Sequence, residues 1–347
     1  MMRRMRLGAG GPEVSGWCLG TMTFGNQTPE AEAHRQIDMA LDAGIDFLDT
    51  AEMYPVNPVR AETAGRSEEI IGSWIARTGR RGDLVIATKI AGPGPILRPG
   101  TVPDGRQLKL CVEASLGRLR TDVIDLYQIH WPARGSYMFR QNWSFDPRGQ
   151  DRAATMAHMD DMLGALADCV AEGKIRAFGL SNESCWGTVR WIDRAAAVGG
   201  PRVVSVQNEY SLLCRFWDTD MAEMSVNEDV VLLAFSPLGA GFLTGKYQGG
   251  AVPGGSRMSL NPEMGGRKSA RVLGAVAAYL GIAAEHGLDP VHMAMAWQGT
   301  RPFAVCPIFG ATTADQLGRI LAGREVVLAP EVLAAIGEAH RAHPMPY

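Results

Sequence analysis

Gly44-Ile-Asp-Phe-Leu-Asp49-Thr-Ala-Glu-Met-Tyr54 begins as a short apolar run and passes directly into acidic and aromatic residues. The apolar part predicts a buried strand at 46–48, and Gly44 before it is typical of the end of a helix. Asp49 then stands at the end of the strand, and Tyr54 lies in the loop that follows. A carboxylate and a phenol in these positions predict half of a catalytic site, which neighbouring strands would complete.

Short apolar runs alternate with amphipathic segments along the whole chain, and this alternation indicates repeated strand–helix units. The runs are almost continuously apolar, which is typical of parallel strands covered on both sides. Thr28 and Pro29 predict the start of the first helix, and the residues before the first strand predict a hairpin. Eight strands are predicted, at 16–20, 46–48, 84–88, 123–129, 176–180, 203–206, 230–235 and 303–308.

Polar residues follow one predicted strand after another, as at Lys89, His130, Ser181 and Gln207. In a (β/α)8 barrel the C-terminal ends of the strands meet on one face, where active sites lie. An open doubly wound sheet would show similar runs, but no GxGxxG fingerprint follows the first strand. We therefore predict an α/β protein, a single-domain (β/α)8 TIM barrel over residues 1–347. Long loops are predicted after strands 4 and 7, at 131–155 and 237–269, where they would shape a substrate pocket or cover a cofactor.

Charge and cysteine content argue against several classes of partner. Lys plus Arg number 34 against 37 Asp plus Glu, a formal net charge of −3, so nothing attracts nucleic acid or acidic lipid. No apolar run is long enough to span a bilayer, and no export signal is recognisable. The six cysteines form no CxxC pair, which favours free thiols and the cytoplasm. We predict small-molecule partners and leave the oligomeric state open.

Several motifs together resemble the aldo-keto reductase family, and most closely its bacterial Tas-type branch. The resemblance runs from about residue 16 to the end of the sequence and implies an NADP(H)-dependent oxidoreductase that reduces aldehydes or ketones to alcohols by hydride transfer. The motifs are Asp49-Thr-Ala-Glu-Met-Tyr54, Ala87-Thr-Lys89, Asp125-Leu-Tyr-Gln-Ile-His130, Gly179-Leu-Ser-Asn182, Gln207-Asn-Glu-Tyr-Ser-Leu-Leu213, Leu243-Thr-Gly-Lys-Tyr247 and Gly310-Ala-Thr-Thr313.

The catalytic chemistry can also be argued from the residue types. Hydride addition leaves charge on the carbonyl oxygen, so the site needs a proton donor and polarising groups. Tyr54 is predicted to be the donor, and the ammonium of Lys89 is expected to lower the pKa of its phenol. Asp49 is expected to keep the buried lysine charged, and His130 to hold the carbonyl oxygen near Tyr54. Each residue alone has an ordinary structural explanation, and only the set of four predicts catalysis.

The resemblance also implies a cofactor site at the ends of the later strands. Ser181, Asn182 and Gln207 would hold the nicotinamide carboxamide, and Tyr210 would stack on the nicotinamide ring. The segment after strand 7 and the start of the helix after strand 8 would hold the phosphates. The residues implied there are Ser236, Leu238, Gly239, Gly241, Leu243, Lys246, Gly310, Thr312, Thr313 and Gln316.

NADP(H) is expected in preference to NAD(H). Thr312 stands where many family members carry a basic residue for the 2′-phosphate, and Ile320 stands where they carry an Asn or Glu for the adenine. Four basic residues are candidates to compensate: Arg257, Arg267, Lys268 and Arg319.

Met22, Met53 and Trp131 are expected to line an apolar substrate pocket. Other aromatic residues of the 131–155 loop could face that pocket or simply pack the loop. The seven histidines show no HxH or HExxH spacing, so no metal site is predicted. The alternative function is an NADP(H)-binding regulatory or redox-sensing subunit with little turnover.

Overall fold

A computed structural model of the chain describes residues 2–94 and 96–347. Eight of its strands form a closed parallel barrel, and the two strands that precede them in the chain pair as an antiparallel hairpin. The predicted (β/α)8 barrel is therefore confirmed. The strands in the described residues are β1 (Arg4–Arg6), β2 (Glu13–Ser15), β3 (Cys18–Gly20), β4 (Phe47–Asp49), β5 (Val85–Ile90), β6 (Ile124–Ile129), β7 (Ile175–Ser181), β8 (Val203–Glu209), β9 (Val231–Phe235) and β10 (Val305–Phe309).

Helices separate the barrel strands along the chain. The α-helices in the same residues are α1 (Glu30–Asp42), α2 (Arg66–Thr78), α3 (Gly105–Leu119), α4 (Arg152–Ala171), α5 (Cys185–Val198), α6 (Asp220–Asn227), α7 (Arg257–Leu260), α8 (Ala270–Glu285), α9 (Pro290–Gln298), α10 (Ala314–Ala322) and α11 (Pro330–Ala342). Within 2–94 and 96–347, none of these helices is both long and apolar enough to cross a bilayer. All six cysteines fall in the described residues and are free thiols.

The two ends of α1 match the sequence prediction to different degrees. Gly44 adopts a φ of 80° just beyond the helix, as a C-terminal glycine does. The expectation that Thr28 caps α1 is wrong. Its hydroxyl instead bonds the hydroxyl of Thr23 and the carbonyl oxygen of Thr312.

Side-chain alternation along the strands divides the barrel interior into layers. Every barrel strand contributes to one buried apolar cluster, including Phe47 of β4, Ala87 of β5 and Leu126 of β6. Two residues further along the same strands are Asp49, Lys89 and Gln128, which face the same way because side chains alternate with a period of two. A polar layer therefore lies directly above an apolar one, toward the C-terminal ends of the strands.

The two long loops are built from short helical turns. The loop after β6 contains a 3-10 turn at Pro147–Gly149, and the segment after β9 contains two 3-10 turns and α7. Both are anchored to Glu209 at the end of β8, which accepts from Arg140 Nη1 at 2.6 Å and Arg267 Nε at 2.7 Å. The hydroxyl of Tyr347 donates to the same carboxylate at 3.0 Å. One largely buried carboxylate thus joins three segments that are distant in the sequence.

Helices α2 and α3 approach each other closely at Gly72. A Cβ atom at this position would lie 2.1 Å from the carbonyl oxygen of Arg118, near the end of α3. Arg118 Nε also donates to the buried carboxylate of Glu68 on α2 at 2.6 Å. The glycine therefore permits the contact that brings this ion pair together.

Gly72→Ala is expected to destabilise the protein, because the new methyl group has no room between the helices and overpacking costs about 1–3 kcal/mol. Gly164→Ala is the matched control. Gly164 is exposed within α4, and in the described chain its Cβ would meet no heavy atom within 4 Å. Better helix propensity should stabilise that variant by about 0.5–1 kcal/mol. Thermal unfolding followed by circular dichroism should show opposite shifts in Tm, and shifts of the same sign would contradict the close approach.

Candidate active site

The four predicted catalytic side chains meet at the C-terminal end of the barrel. Lys89 Nζ donates to Asp49 Oδ2 and to the carbonyl oxygen of Thr50, each at 2.7 Å. The same nitrogen lies 4.9 Å from the centre of the Tyr54 ring. The ring centroids of Tyr54 and His130 are 5.7 Å apart. The structure therefore brings together all four residues that the sequence singled out.

Lys89 and Asp49 form a buried ion pair, with side chains 0% and 3% exposed. Burial acts against the charged form of Lys89, while the carboxylate of Asp49 and then the phenol of Tyr54 favour it. The pKa of Lys89 is raised as a result. Lys89 therefore keeps its positive charge at neutral pH inside the barrel mouth.

The phenol of Tyr54 responds to two opposing effects. Burial raises its pKa and is the larger effect, while the ammonium of Lys89 lowers it. Lys89 thus acts with the sign expected from the sequence, but the expected net lowering is not found, because burial outweighs it. A phenol with a raised pKa keeps its proton at neutral pH, as a proton donor must.

His130 is neutral in this site. Burial, and next the nearby charge of Lys89, hold the pKa of its imidazole well below the usual range. Its Nδ1 atom is buried and has no hydrogen-bond partner in the described part of the chain. A neutral imidazole carries one N–H and can donate it to an oxygen atom.

The second oxygen of Asp49 is held by two amides. Asp49 Oδ1 accepts from Gln207 Nε2 at 2.7 Å and from Gln128 Nε2 at 3.3 Å. Gln207 was predicted only as a cofactor ligand, and Gln128 was not predicted at all. Its position two residues before His130 in β6, with the same orientation, is the signal that could have identified it.

The residues predicted to hold a carboxamide lie side by side at the ends of β7 and β8. Ser181 Oγ donates to the backbone oxygen of Gln207 at 2.9 Å. Asn182 Nδ2 donates to Ser181 Oγ at 3.1 Å and to the backbone oxygen of His130 at 2.9 Å. These contacts place the amide-binding candidates next to His130.

Tyr210 does not reach this site, and its predicted stacking role is wrong. Its ring is fully buried and stacks on Trp297 of α9, with centroids 5.2 Å apart. Its hydroxyl donates to Asp218 at 2.5 Å. Phe235, which was not predicted, ends β9 and lines a small cavity together with Asn182. It shares the orientation of Leu233, which faces the barrel interior.

The segment after β9 contains several residues with left-handed backbone. Ser236, Gly239 and Gly241 have φ values of 56°, 56° and 97°, and such turns can point successive N–H groups at an anion. Leu243 is buried in the core and Leu238 packs against it, so these two predicted ligands have only their backbone to offer.

The predicted basic residues differ in what they already contact. Arg267 is bonded to Glu209, and Arg319 donates twice to Asp289. Among the described residues, Lys246, Arg257 and Lys268 have no carboxylate within ion-pair distance. Arg257 Nη2 lies 3.4 Å from the sulfur of Met22, and burial lowers the pKa of its guanidinium to about 10.

The start of α10 is already engaged within the chain. Thr313 caps it by accepting from the N–H of Gln316 at 3.3 Å, and both the N–H and the hydroxyl of Thr312 donate to Gln316 Oε1 at 3.1 Å. The N–H of Ala314 donates to the carboxylate of Glu32. Gly310 lies close to the neighbouring barrel strand β3, since a Cβ atom on Gly310 would be 3.0 Å from the carbonyl oxygen of Gly20. The predicted phosphate position therefore lies beside a carboxylate, which disfavours a second anion.

Trp131 forms one wall of the barrel mouth. It packs between His130 and Phe139, with centroid distances of 4.9 and 6.3 Å, and its Nε1 donates to Pro93 O at 3.0 Å. Met22 and Met53 are half-buried. Among the other aromatic residues of the loop after β6, Tyr137 packs on Phe145 within the loop and on Phe216 outside it, and Trp143 is 59% exposed.

Metal ions in proteins are held by grouped side chains of a few residue types. Over residues 2–94 and 96–347, no three side chains of His, Cys, Asp or Glu are grouped closely enough to hold one ion.

Comparison with known proteins agrees with this geometry. The aldo/keto reductase family model matches residues 17–341. Protein tas of Escherichia coli (strain K12) is 42% identical over 341 residues, which cover 96% of each chain, so the resemblance to the Tas-type branch is confirmed. The uncharacterized oxidoreductase YrpG of Bacillus subtilis (strain 168) is 32% identical over 339 residues, or 96% of this chain and 94% of that one. A probable voltage-gated potassium channel subunit beta of Arabidopsis thaliana is 31% identical over 360 residues, or 99% and 98%. The chain therefore belongs to the aldo/keto reductase family of oxidoreductases.

Proposed function

We propose that this protein reduces aldehyde or ketone carbonyls to alcohols with NADP(H), and that Tyr54 is the proton donor. The observation that carries the proposal is the position of Lys89, whose ammonium bonds Asp49 at 2.7 Å and lies 4.9 Å from the centre of the Tyr54 ring. The bound nicotinamide would supply the hydride. The side chains of the protein supply the proton and the polarising groups.

Each side chain has a role that follows from its charge. Protonated Tyr54 donates its O–H to the carbonyl oxygen, and the ammonium of Lys89 stabilises the phenolate that is left. Asp49 compensates the burial of that ammonium. Neutral His130 donates its single N–H to the same carbonyl oxygen and so orients the substrate.

The chain also has groups that fit an anionic dinucleotide. Ser181, Asn182 and Gln207 are polar and adjacent, and suit the donors and acceptors of a carboxamide. Lys246, Arg257 and Lys268 remain without carboxylate partners in the described residues, which leaves their charge for phosphates. This excess of free cations supports NADP(H), which carries one more phosphate than NAD(H).

The surroundings of the site support a small carbonyl substrate with an apolar part, since Met22, Met53 and Trp131 border the mouth. The free thiols support a cytoplasmic location.

The second candidate function, a regulatory or redox-sensing subunit, is supported by the similarity to a protein named as a channel subunit. The complete set of Asp49, Tyr54, Lys89 and His130 favours the enzyme.

Tyr54→Phe should abolish carbonyl reduction and leave the affinity for NADPH unchanged, because only the donated proton is removed. Mixing the wild type with NADPH and a panel of reactive aldehydes should give repeated turnover, which is measured as the loss of NADPH absorbance. Calorimetry gives the affinity of both proteins for NADPH. Wild-type protein that oxidises one equivalent slowly and then stops would support the sensor instead, and a variant that keeps more than about a tenth of the rate would place the donor elsewhere.

Lys89→Met should lower the rate of reduction by about 10²–10⁴-fold, because the phenolate loses its stabilising charge. The sign of the pH effect follows from the phenol. Reduction requires its protonated form, so the rate falls as pH rises through the pKa of Tyr54, and removing the ammonium should move that basic limb to higher pH. Profiles of kcat/KM recorded for both proteins test this. An unmoved limb with near-normal turnover would show that Lys89 does not tune the phenol.

Arg257→Met should weaken NADPH binding by about 10–100-fold, the effect of losing a charged hydrogen bond. Arg319→Met is the control with the same chemistry, since Asp289 already pairs with Arg319, and its affinity should stay near that of the wild type. Calorimetry with NADPH and with NADH compares the two variants. A larger loss in Arg319→Met would place the phosphate at the start of α10.

A further inference from the structure

A buried chain of hydrogen bonds connects the catalytic ion pair with a residue of the proposed cofactor site. We propose that the charge of Asp49 sets the direction of these bonds through Gln128 and Gln207, and so decides which end of the Gln207 amide faces the cofactor. This inference rests on the proposed function, because it assigns Gln207 to a nicotinamide carboxamide. It gives Asp49 a second task and makes Gln128 a positioning residue.

The direction of the bonds begins at Lys89. Its ammonium can only donate, and Asp49 Oδ2 accepts from it at 2.7 Å. As the counter-ion of this buried ammonium, Asp49 is a carboxylate, and its other oxygen, Oδ1, can only accept. Two amides face Oδ1, Gln207 at 2.7 Å and Gln128 at 3.3 Å. Both must present their NH2 groups, because an amide oxygen there would oppose the carboxylate.

Gln128 has no freedom to turn. Its side chain is fully buried, its Nε2 donates to Asp49, and its Oε1 accepts from Gln207 Nε2 at 3.3 Å. Turning the amide would break both bonds and leave buried polar atoms unpaired, which is costly. Gln128 therefore provides a second acceptor that holds the NH2 group of Gln207 in place.

The consequence appears at the other end of Gln207. With Nε2 committed to Asp49 and Gln128, its Oε1 is left as the group available to a ligand, and none of the residues in 2–94 and 96–347 donates to that atom. Gln207 thus offers an acceptor and selects a ligand with an N–H. A carboxamide has one, whereas an acetyl group of nearly the same shape does not.

Asp49→Asn tests the direction of the bonds. Lys89 still requires an acceptor, so the oxygen of the new amide must face Lys89 and its NH2 must face Gln207. Gln207 and Gln128 then have to turn, and Gln207 presents its own NH2 to the ligand. A carboxamide and an acetyl group both carry a carbonyl oxygen that can accept from this NH2, so the variant should lose the preference for a carboxamide.

The probes are NADP+ and its 3-acetylpyridine analogue, with both dissociation constants measured by calorimetry. Wild-type protein should bind NADP+ about threefold to tenfold more tightly than the analogue, as one neutral hydrogen bond allows. Asp49→Asn should bring that ratio close to one. Tyr54→Phe is the control, because it changes the catalytic set but leaves the bonds of Asp49 intact, and its ratio should equal that of the wild type.

Gln128→Leu tests the positioning role without changing the charge. The affinity for NADP+ should fall about twofold to fivefold, since Gln207 keeps only one of its two acceptors, and NADP+ should remain preferred. Unchanged affinity would remove Gln128 from the mechanism. An Asp49→Asn protein that is folded by circular dichroism and keeps the wild-type ratio would overturn the whole inference. Wild-type protein that binds neither dinucleotide would instead overturn the proposed cofactor.

Discussion

The buried pair of Lys89 and Asp49 is the interaction on which the rest of the site depends. Either charge alone would be costly to hold inside the barrel, and a pair recovers that cost only if its remaining donors and acceptors are also satisfied. Thr50 O accepts a second hydrogen bond from the ammonium, and two glutamine amides donate to the second carboxylate oxygen. The charge of Lys89 then acts on its neighbours. It opposes the effect of burial on Tyr54 and helps to keep His130 neutral.

The sequence predicts this arrangement because the barrel repeats one geometric rule. Parallel strands end on the same face, so residues at strand ends such as Asp49 and His130 meet even when they are distant in sequence. The same rule, applied with the two-residue alternation of strands, corrects the prediction for Tyr210 and identifies Phe235, which was not predicted. Tyr210 lies three residues after Gln207, an odd number, and its side chain faces outward. Phe235 lies two residues after Leu233 and faces the interior.

Other features follow from loop paths and from burial, for which periodicity gives no rule. Glu32 reaches the start of α10, and Glu209 joins Arg140, Arg267 and Tyr347. Such contacts depend on where irregular backbone passes over the barrel. The pKa of Tyr54 shows the same limit. The sign of the effect of Lys89 follows from its charge, but the larger opposing effect depends on how closely other atoms surround the phenol.

Two arginines of the segment after β9 differ in their pairing: Arg267 has a carboxylate partner, and Arg257 has none in the part of the chain that the structure describes. Arg267 is neutralised by Glu209 and fixes the path of the segment. Arg257 lies on the same segment, and its Nη2 is 3.4 Å from the sulfur of Met22. It has no carboxylate within ion-pair distance among the described residues, and burial lowers the pKa of its guanidinium to about 10. A half-buried cation without a counter-ion opposes folding. An anionic ligand such as the proposed cofactor would remove that penalty on binding, so the cost of burying the charge of Arg257 would be recovered in the affinity for that ligand.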